Sequence, residues 1–359
     1  MTAIAPGPQA ETSEATRAAA PLVDRQRRHV TYLRVSVTDR CNYRCTYCMP
    51  EHELAHATRA ELLSFDELDR LVRCFTRLGV RRVRLTGGEP TVRRDLPTLV
   101  AKLRENPAIE DLALSTNGER LTALAAPLRA AGVDRLNVSV DSLVPERFAR
   151  ITRGGDLSRV LAGLEAARAA GFASIKLNAV AVRGFNDDEP AALCAFAWHG
   201  GMVPRFIEQM PMADGALFVP GAFMGAADIR AAIAAGFPGA RLVAEAPSAD
   251  AGAGPARYWR VERADGAAPA RTLGRFGIIS PLTEHFCDTC NRVRLSATGA
   301  LHTCLGHDDA TPLRETLHAG GEPAVEVAIR RALDGKRDGH TFGLLGIGGP
   351  RKAMVQIGG

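Results

Sequence analysis

The segment Cys41-Asn42-Tyr43-Arg44-Cys45-Thr46-Tyr47-Cys48 places three thiols within one short loop, directly after a strand-like run. Short cysteine runs bind iron–sulfur clusters in ferredoxins, where four thiolates complete the ligation. Three thiolates leave one iron of a four-iron cluster without a protein ligand, and an open coordination position is typical of catalytic metal sites. The spacing therefore predicts a metal centre that binds a small molecule. The alternative is a small zinc site or a loop of reduced thiols, although zinc sites usually pair two C-x2-C arms and close at four ligands.

Composition limits the class of protein. The chain has 359 residues, 46% of them apolar, which is enough for one large domain and a smaller one. No apolar run approaches the roughly 18 residues of a membrane span, so we expect a soluble protein. Residues 1–28 lack the apolar middle of a secretory signal and are expected to form a disordered extension. Eight cysteines without such a signal indicate a reducing compartment, the cytoplasm. A net charge of +5 does not by itself indicate nucleic acid.

From residue 29 onward, short β-branched runs alternate with helical stretches, which predicts βαβ units and a parallel sheet. A capping box, Ser64-Phe65-Asp66-Glu67, opens the first helix, and Asp95 is expected to cap the second. Six βα units are too few for a full eight-stranded barrel and predict a partial, open one. The predicted strands cover residues 29–37, 80–86, 111–116, 134–140, 172–182 and 203–210.

Strand parity predicts a polar interior, because alternate residues of a strand face opposite sides of the sheet. If the apolar set packs on the outer helices, the polar set lines a common lumen. The alternative, in which the apolar set points inward and the charges are solvated, remains open at this point. The sixth strand is ambiguous by parity. In the other five, the polar set comprises Tyr32, Arg34, Ser36, Arg84, Thr86, Ala113, Ser115, Asn137, Ser139, Asp141, Lys176 and Asn178.

A second group of three cysteines lies beyond residues 247–255, which are rich in Ala, Gly and Pro and predict a flexible link. These cysteines are Cys287, Cys290 and Cys304, and a histidine as fourth ligand would instead make a zinc site. The candidates for that histidine are His285, His302 and His307. Cys74 and Cys194 fall within predicted helices and are expected to be inert core residues.

Cations accompany the second cysteine group. Arg292 and Arg294 follow Cys290 and would point the same way on a strand. With Arg34, Arg84 and Lys176 they would bring five cations into one chamber. Only four of the 45 basic residues are lysines, which makes a lysine within a strand notable. Several guanidinium groups in one place require an anion, and polyphosphate suits their forked donors.

Gly87-Gly88-Glu89-Pro90 follows the second predicted strand, at the end where α/β folds bind ligands. Together with the C-x3-C-x-Tyr-C loop, this turn resembles the signature of the radical S-adenosylmethionine (radical SAM) enzymes. The resemblance implies that SAM binds the free iron of a 4Fe-4S cluster. It also implies a radical SAM core over 29–245 and a second-cluster domain over 246–359.

From about Tyr32 to the final residue, the sequence resembles the GTP 3′,8-cyclases of molybdenum cofactor biosynthesis. The resemblance rests on both cysteine groups, the run Asn291-Arg292-Val293-Arg294-Leu295, and the C-terminal segment 351–359 that ends in two glycines. It implies that Cys41, Cys45 and Cys48 ligate the SAM cluster and that Cys287, Cys290 and Cys304 ligate the second cluster. The implied SAM contacts are Tyr47, Gly88, Ser139 and Met210. The implied GTP contacts are Arg34, Arg84, Ser115, Lys176, Arg292, Val293 and Arg294, with Lys176, Arg292 and Arg294 in catalytic roles.

The reaction that the resemblance implies begins when a 5′-deoxyadenosyl radical abstracts the C3′ hydrogen of GTP. The carbon radical then attacks C8 of guanine, which gives 3′,8-cyclo-7,8-dihydro-GTP. The implied partners are a flavodoxin-like or other reductant, the cyclic pyranopterin monophosphate synthase that takes the product, and a second copy of the chain in a homodimer. The Gly358-Gly359 tail is implied to enter the active-site chamber. A radical SAM peptide maturase and a non-catalytic iron–sulfur or zinc sensor remain alternatives.

Overall fold

The computed structural model describes residues 21–51, 54–246, 254–263 and 271–358. Its strands are β1 (Tyr32–Ser36), β2 (Arg82–Thr86), β3 (Asp111–Thr116), β4 (Arg135–Ser139), β5 (Ile175–Ala181), β6 (Val203–Glu208), β7 (Ala240–Ala244), β8 (Arg257–Arg263), β9 (Arg271–Ile279), β10 (Arg292–Leu295), β11 (Ala300–His302) and β12 (Thr311–Pro312). They form one sheet in the order β12-β11-β10-β1-β2-β3-β4-β5-β6-β9-β8-β7. Most of the predicted link, residues 247–253, lies outside the described residues.

The sheet is parallel in its centre and antiparallel at its edges. β1 to β6 pair in chain order, and each pair is parallel. β10 joins β1 and β9 joins β6, also in parallel, so the C-terminal strands extend both edges of the same sheet. This arrangement confirms the prediction of an α/β fold whose parallel strands do not close into a full barrel.

The helices are α1 (Phe65–Arg77), α2 (Leu96–Arg104), α3 (Leu121–Ala131), α4 (Pro145–Thr152), α5 (Leu157–Ala169), α6 (Pro190–His199), α7 (Ala226–Gly236), α8 (Leu313–Asp334) and α9 (Met354–Ile357). α1 begins with the predicted capping box, in which Ser64 and Glu67 each accept the other's backbone N–H. Such a cap contributes about 1 kcal/mol. Asp95 stands at the N-cap position of α2, as predicted, but its side chain makes no capping bond, and its φ of 59° turns the chain into the helix. Within the described ranges, no helix is long and apolar enough to cross a membrane.

The strand faces divide as parity predicts. Leu33 and Val35 of β1 are fully buried in one core cluster with Leu71 and Phe75 of α1. On the other face, Arg34 stands in register with the arginines of β2 and β10. The alternative in which the apolar set points into the lumen is therefore wrong.

β6 also has a definite parity, which the sequence left open. Arg205 reaches Asn178 at 3.0 Å and also bonds Asn137, so it lies on the polar face. Phe206 is 1% exposed and belongs to the apolar core. Glu208 shares the parity of Phe206, but its carboxylate accepts N–H bonds from Ala226, Leu282 and Thr283. This satisfied carboxylate explains why a charged residue stands on the helix-facing side.

Residues 21–28 differ from the expected disordered extension, whereas residues 1–20 lie outside the described part. Leu22 is 2% exposed and belongs to the core, and Val23 forms a β-bridge with His29. Arg28 is buried and bonds the carbonyl oxygens of Cys287 and Asp338. Partners so distant in the chain leave no local signal in the sequence.

Candidate active site

The first cysteine loop forms one wall of a cavity of ≈ 150 Å³ at the carboxyl ends of β2, β3 and β4. Backbone N–H groups of Arg44 and Thr46 bond the carbonyls of Thr152 and Ile151, which anchors the loop on the end of α4. Burial raises the pKa of the Cys41 and Cys48 thiols to about 12, so the free thiols are protonated at neutral pH and release protons when they bind metal. The residues from the predicted sites that line this cavity are Cys41, Cys45, Tyr47, Cys48, Gly88, Ser115 and Ser139.

The glycine turn after β2 is in direct backbone contact with the residues that lead into the cysteine loop. The N–H of Gly88 donates to the Thr38 carbonyl at 2.7 Å, and the N–H of Glu89 donates to the Arg40 carbonyl at 2.8 Å. A Cβ at Gly87 would lie 2.5 Å from the Thr38 oxygen, and one at Gly88 would lie 2.3 Å from the Arg40 oxygen. Only glycine permits this approach, because any Cβ would overlap the opposing backbone.

Tyr47 is held in place by a carboxylate that the site prediction did not include. Its hydroxyl donates to Asp141 Oδ2 at 2.8 Å, while Asp141 Oδ1 accepts the Val180 N–H at 2.8 Å. Burial raises the pKa of Asp141 to about 6 and raises that of Tyr47 well above its ordinary value. The tyrosine therefore stays neutral and fixed at the cavity wall. The sequence signal for Asp141 was strand parity, which placed this residue on the polar face of the predicted sheet.

Glu89 connects the ends of β2 and β3. It is 1% exposed, and its carboxylate accepts bonds from the Thr91 N–H at 3.0 Å, the Thr116 hydroxyl at 2.7 Å and the Asn117 N–H at 2.7 Å. Asn117 in turn donates to Asn42 of the cysteine loop at 2.9 Å. Each of these bonds to a buried charged group is worth about 1.5–3 kcal/mol, so Glu89 fixes the turn relative to the loop.

The second cysteine group lies on two short segments beside β10 and β11. Cys287 begins the 3₁₀ turn Cys287–Thr289, Cys290 directly follows this turn, and Cys304 follows β11. Burial alone would raise the pKa of Cys290, but the cationic Arg292 and Lys336 lower it to about 7. This thiol is thus already disposed to bind metal as a thiolate.

Four of the five predicted interior cations lie on neighbouring strands. Arg34 stands in register with Arg294 on one side and with Arg84 on the other. Burial, Arg294 and Arg84 hold the pKa of Arg34 well below its usual range. Burial and Arg292 lower that of Arg294 to about 10. The Nε of Arg84 is buried without a hydrogen-bond partner in the described structure. An anion at this place would relieve both the repulsion and the unsatisfied donor.

Lys176 on β5 and Arg205 on β6 add two further positive charges to the polar face of the sheet. Burial, followed by Arg205 and Arg135, lowers the pKa of Lys176 to about 7. Arg205 is 3% exposed, and burial lowers its pKa to about 10. The sequence interpretation missed Arg205 because the parity of β6 was ambiguous.

The C-terminal tail enters the same interior. The Gly358 carbonyl accepts from the Arg294 guanidinium at 2.6 Å and from Arg34 Nε at 3.4 Å. Gly358 has φ 77°, and a Cβ there would lie 3.1 Å from the Ser36 Cβ, so glycine suits both the backbone and the space. The predicted entry of the tail into the chamber is confirmed as far as Gly358; Gly359 lies outside the described residues.

Comparison with known proteins identifies the family. The Radical SAM superfamily model matches residues 35–197, and the Molybdenum Cofactor Synthesis C model matches residues 202–342. A "GTP 3′,8-cyclase" of Rhodopseudomonas palustris (strain TIE-1) is 46% identical over 326 residues, which cover 90% of each chain. The chain belongs to the GTP 3′,8-cyclase family. Another "GTP 3′,8-cyclase", from Caulobacter vibrioides, is 45% identical over 347 residues, 95% of each chain.

Among solved structures, Streptococcus suis SuiB bound to S-adenosylmethionine matches 51% of this chain and 40% of its own, with a TM-score of 0.43 and 16% identity.

The GTP 3′,8-cyclase family is iron–sulfur dependent and uses SAM, and the donor sets described above suit those groups. All six predicted ligand cysteines are free thiols, in two groups of three. Soft thiolates are the ligands that iron–sulfur clusters require. In the described ranges, no three His, Cys, Asp or Glu side chains are arranged around a single metal ion. Thiolates that bind separate irons of one cluster do not need to converge on one point.

Two predicted contacts are not among the side chains that form the site described above. Met210 follows the end of β6 and is not among the residues that line the first cavity. Val293 is 1% exposed and pairs with Leu33, so its side chain faces the helices, opposite to Arg292 and Arg294. The roles of these two residues stay predictions.

Proposed function

We propose that this chain is a radical SAM enzyme of the lyase class that converts GTP to (8S)-3′,8-cyclo-7,8-dihydroguanosine 5′-triphosphate. This is the first step of molybdenum cofactor biosynthesis. One observation carries the proposal: arginines in register on β2, β1 and β10 form a row that leads from the three-cysteine cavity and its glycine turn to the second three-cysteine group.

The first site binds the SAM cluster through Cys41, Cys45 and Cys48. When bound, the cluster and SAM supply a 5′-deoxyadenosyl radical, which abstracts the C3′ hydrogen of GTP. Tyr47, which Asp141 orients, closes one wall of the cavity. Gly88 exposes its backbone there, and Ser139 adds a hydroxyl. We assign Tyr47, Gly88, Ser139 and Met210 to SAM.

Cys287, Cys290 and Cys304 would hold the second cluster, whose open iron would bind the purine end of GTP. Arg34, Arg84, Lys176, Arg292 and Arg294 bind and orient the substrate, and Ser115 adds a hydroxyl. Their charges repel one another in the absence of an anion, and a triphosphate supplies the opposite charge. Arg292, Arg294 and Lys176 act catalytically by positioning GTP and offsetting the charge of its triphosphate. Holding the two reactants close together and excluding water from the site can lower a large part of the activation free energy.

The proposal extends to the reductant, to the enzyme that takes the product and to the compartment. A flavodoxin-like or other reductant supplies the electron near the cysteine loop, where Asn42, Arg40 and Arg44 are exposed. The product passes to cyclic pyranopterin monophosphate synthase. Thiols that must remain free for metal suit the reducing cytoplasm.

A second copy of the chain forms a homodimer, and the exposed apolar side chains of Leu344, Leu345 and Ile347 are the surface for it. Light scattering on the purified protein tests this arrangement, and a monomer at micromolar concentration would contradict it. The division into a core over 29–245 and a second-cluster domain over 246–359 is likewise a proposal. Limited proteolysis that yields stable fragments with other boundaries would contradict it.

One anaerobic experiment separates the proposed reaction from the alternatives. The protein is reconstituted with iron and sulfide, and SAM, dithionite and GTP are added. A cyclase gives 5′-deoxyadenosine together with a cyclised nucleotide. A peptide maturase cleaves SAM without forming a nucleotide product, and a sensor module forms neither product.

A further inference from the structure

The turn after α8 carries a buried lysine whose three donors all have acceptors. Lys336 is 3% exposed and is one of four lysines in the chain. Its Nζ donates to the Arg292 carbonyl at 3.1 Å, to the Thr303 carbonyl, and to Cys290 Sγ at 3.8 Å. An ammonium group has three N–H donors. All three N–H donors of Lys336 therefore have acceptors, and the side chain links β10, the end of β11 and the second cysteine group.

A second buried cation reaches the same region from the N-terminal segment. Arg28 is 7% exposed, and its guanidinium donates to the carbonyls of Cys287 at 2.9 Å, Asp338 at 2.7 Å and Arg337 at 2.7 Å. Its Nε bonds Asp24 Oδ2 at 2.6 Å, and Asp24 is itself 5% exposed. This ion pair neutralises Arg28 and fixes its direction.

The two cations together hold both segments that carry the second cysteine group. Arg28 bonds the carbonyl of Cys287, and Lys336 bonds the sulfur of Cys290 and the carbonyl directly before Cys304. The cysteines lie at the 3₁₀ turn and in the loop after β11, outside the strands of the sheet. Groups outside the ligand shell commonly orient ligands in this way.

The charge of Lys336 points to an anion. No salt bridge joins it to a carboxylate within the described ranges. A buried unpaired charge costs several kcal/mol. A cluster held by three thiolates would be electron-rich, and the Lys336–Cys290 contact would bring the ammonium group next to one of those thiolates. Hydrogen bonds and charge at the ligating sulfurs also set the reduction potential of such clusters.

We propose that Lys336 and Arg28 are positioning residues for the second iron–sulfur cluster. Lys336 orients Cys290 and raises the reduction potential of the cluster, while Arg28 fixes Cys287. This inference rests on the proposed assignment of Cys287, Cys290 and Cys304 as ligands.

The test uses the full chain with Cys41, Cys45 and Cys48 replaced by alanine, so that only the second cluster contributes signal. Lys336→Gln removes the positive charge at position 336. Arg28→Lys keeps a positive charge at position 28 but removes the forked guanidinium donors. Lys102→Gln is the control, because Lys102 lies on α2 and pairs with Asp66 of α1 rather than with a residue of the second cysteine group. The readouts are iron and sulfide content, the rate of iron loss to a chelator, and an EPR-monitored redox titration.

We expect Lys336→Gln to shift the potential to more negative values and Arg28→Lys to release iron about 10-fold faster, within the usual range for residues that orient ligands. The control should match the parent protein. Unchanged potential and unchanged iron release in both variants would overturn the proposal. Thermal melts of each variant separate a folding defect from a cluster defect, and Arg28→Lys gives an independent result if Lys336→Gln does not fold. A parent protein without iron, before either cation is changed, would overturn the ligand assignment itself and the proposal with it.

Discussion

Replacing Arg84 by methionine should stabilise the protein in the absence of GTP while weakening its use of GTP. Arg84 is 8% exposed, its guanidinium lies 5.3 Å from the centre of the Tyr32 ring, and its buried Nε has no partner in the described structure. It also lowers the pKa of Arg34, after burial and Arg294. The side chain therefore costs stability until an anion binds.

The expected sizes follow from these contacts. An unsatisfied buried donor costs about 1–3 kcal/mol, whereas the cation–π contact with Tyr32 returns about 0.5–2 kcal/mol. With relief of repulsion included, we expect the free energy of unfolding without GTP to rise by about 1 kcal/mol. A hydrogen bond to a charged group is worth about 1.5–3 kcal/mol, so KM for GTP should rise about 10- to 150-fold.

Denaturant unfolding with and without GTP and steady-state kinetics measure the two effects. Arg135→Met is the matched control, because Arg135 also lies on the sheet but pairs with Asp111, to which its Nε donates at 2.7 Å. This variant should lose stability, since it leaves a carboxylate unpaired, and should change KM much less than Arg84→Met. If Arg84→Met destabilises the GTP-free protein as much as Arg135→Met and leaves KM unchanged, the reasoning about an anion site is refuted.

Three further predictions concern the same interior. Because burial and nearby arginines lower the pKa of Lys176 to about 7, KM for GTP should rise as pH increases through about 7 in the wild type and stay flat in Lys176→Met. Between about pH 7 and the ordinary lysine pKa of 10.5, the unfolded chain keeps the Lys176 proton that the folded protein has lost. The contribution of Lys176 to the free energy of unfolding should therefore rise with pH across this window, and a contribution that falls with pH would contradict the lowered pKa. Gly88→Ala should lose iron from the first cluster because its Cβ would lie 2.3 Å from the Arg40 oxygen, whereas Gly221→Ala, with open space around it, should keep full iron content. Deletion of Gly358-Gly359 should abolish cyclisation but spare cluster assembly, and full activity of the truncated protein would refute the role of the tail.

The sequence predicted the core of this structure well where the signal was local. The capping box of α1 and the parity of β1 to β5 depend on residues within one element, and both are confirmed. Parity alone placed Arg34, Arg84 and Lys176 on one face, before any family resemblance was considered. The cysteine spacings likewise identified the two groups of candidate ligands.

The sequence failed where partners are distant in the chain. The Glu208 carboxylate accepts hydrogen bonds from N–H groups of residues 226, 282 and 283, which are distant in the chain. The sequence alone therefore gave no reason for a charged residue on the apolar face of β6, so the parity of this strand was not assigned and Arg205 was missed. The ordered segment 21–28 depends on contacts of Arg28 with residues 287, 337 and 338. Asp141 was placed on the polar face, but its bond to Tyr47 spans 94 positions of the chain.

Mössbauer spectroscopy of anaerobically reconstituted protein, recorded before and after SAM and GTP are added separately, tests the two three-thiol sites most directly. We predict about eight iron atoms per chain in two four-iron clusters, with one iron of the first cluster shifted by SAM and one iron of the second shifted by GTP. Protein without iron, or clusters whose spectra do not respond to either small molecule, would contradict the account.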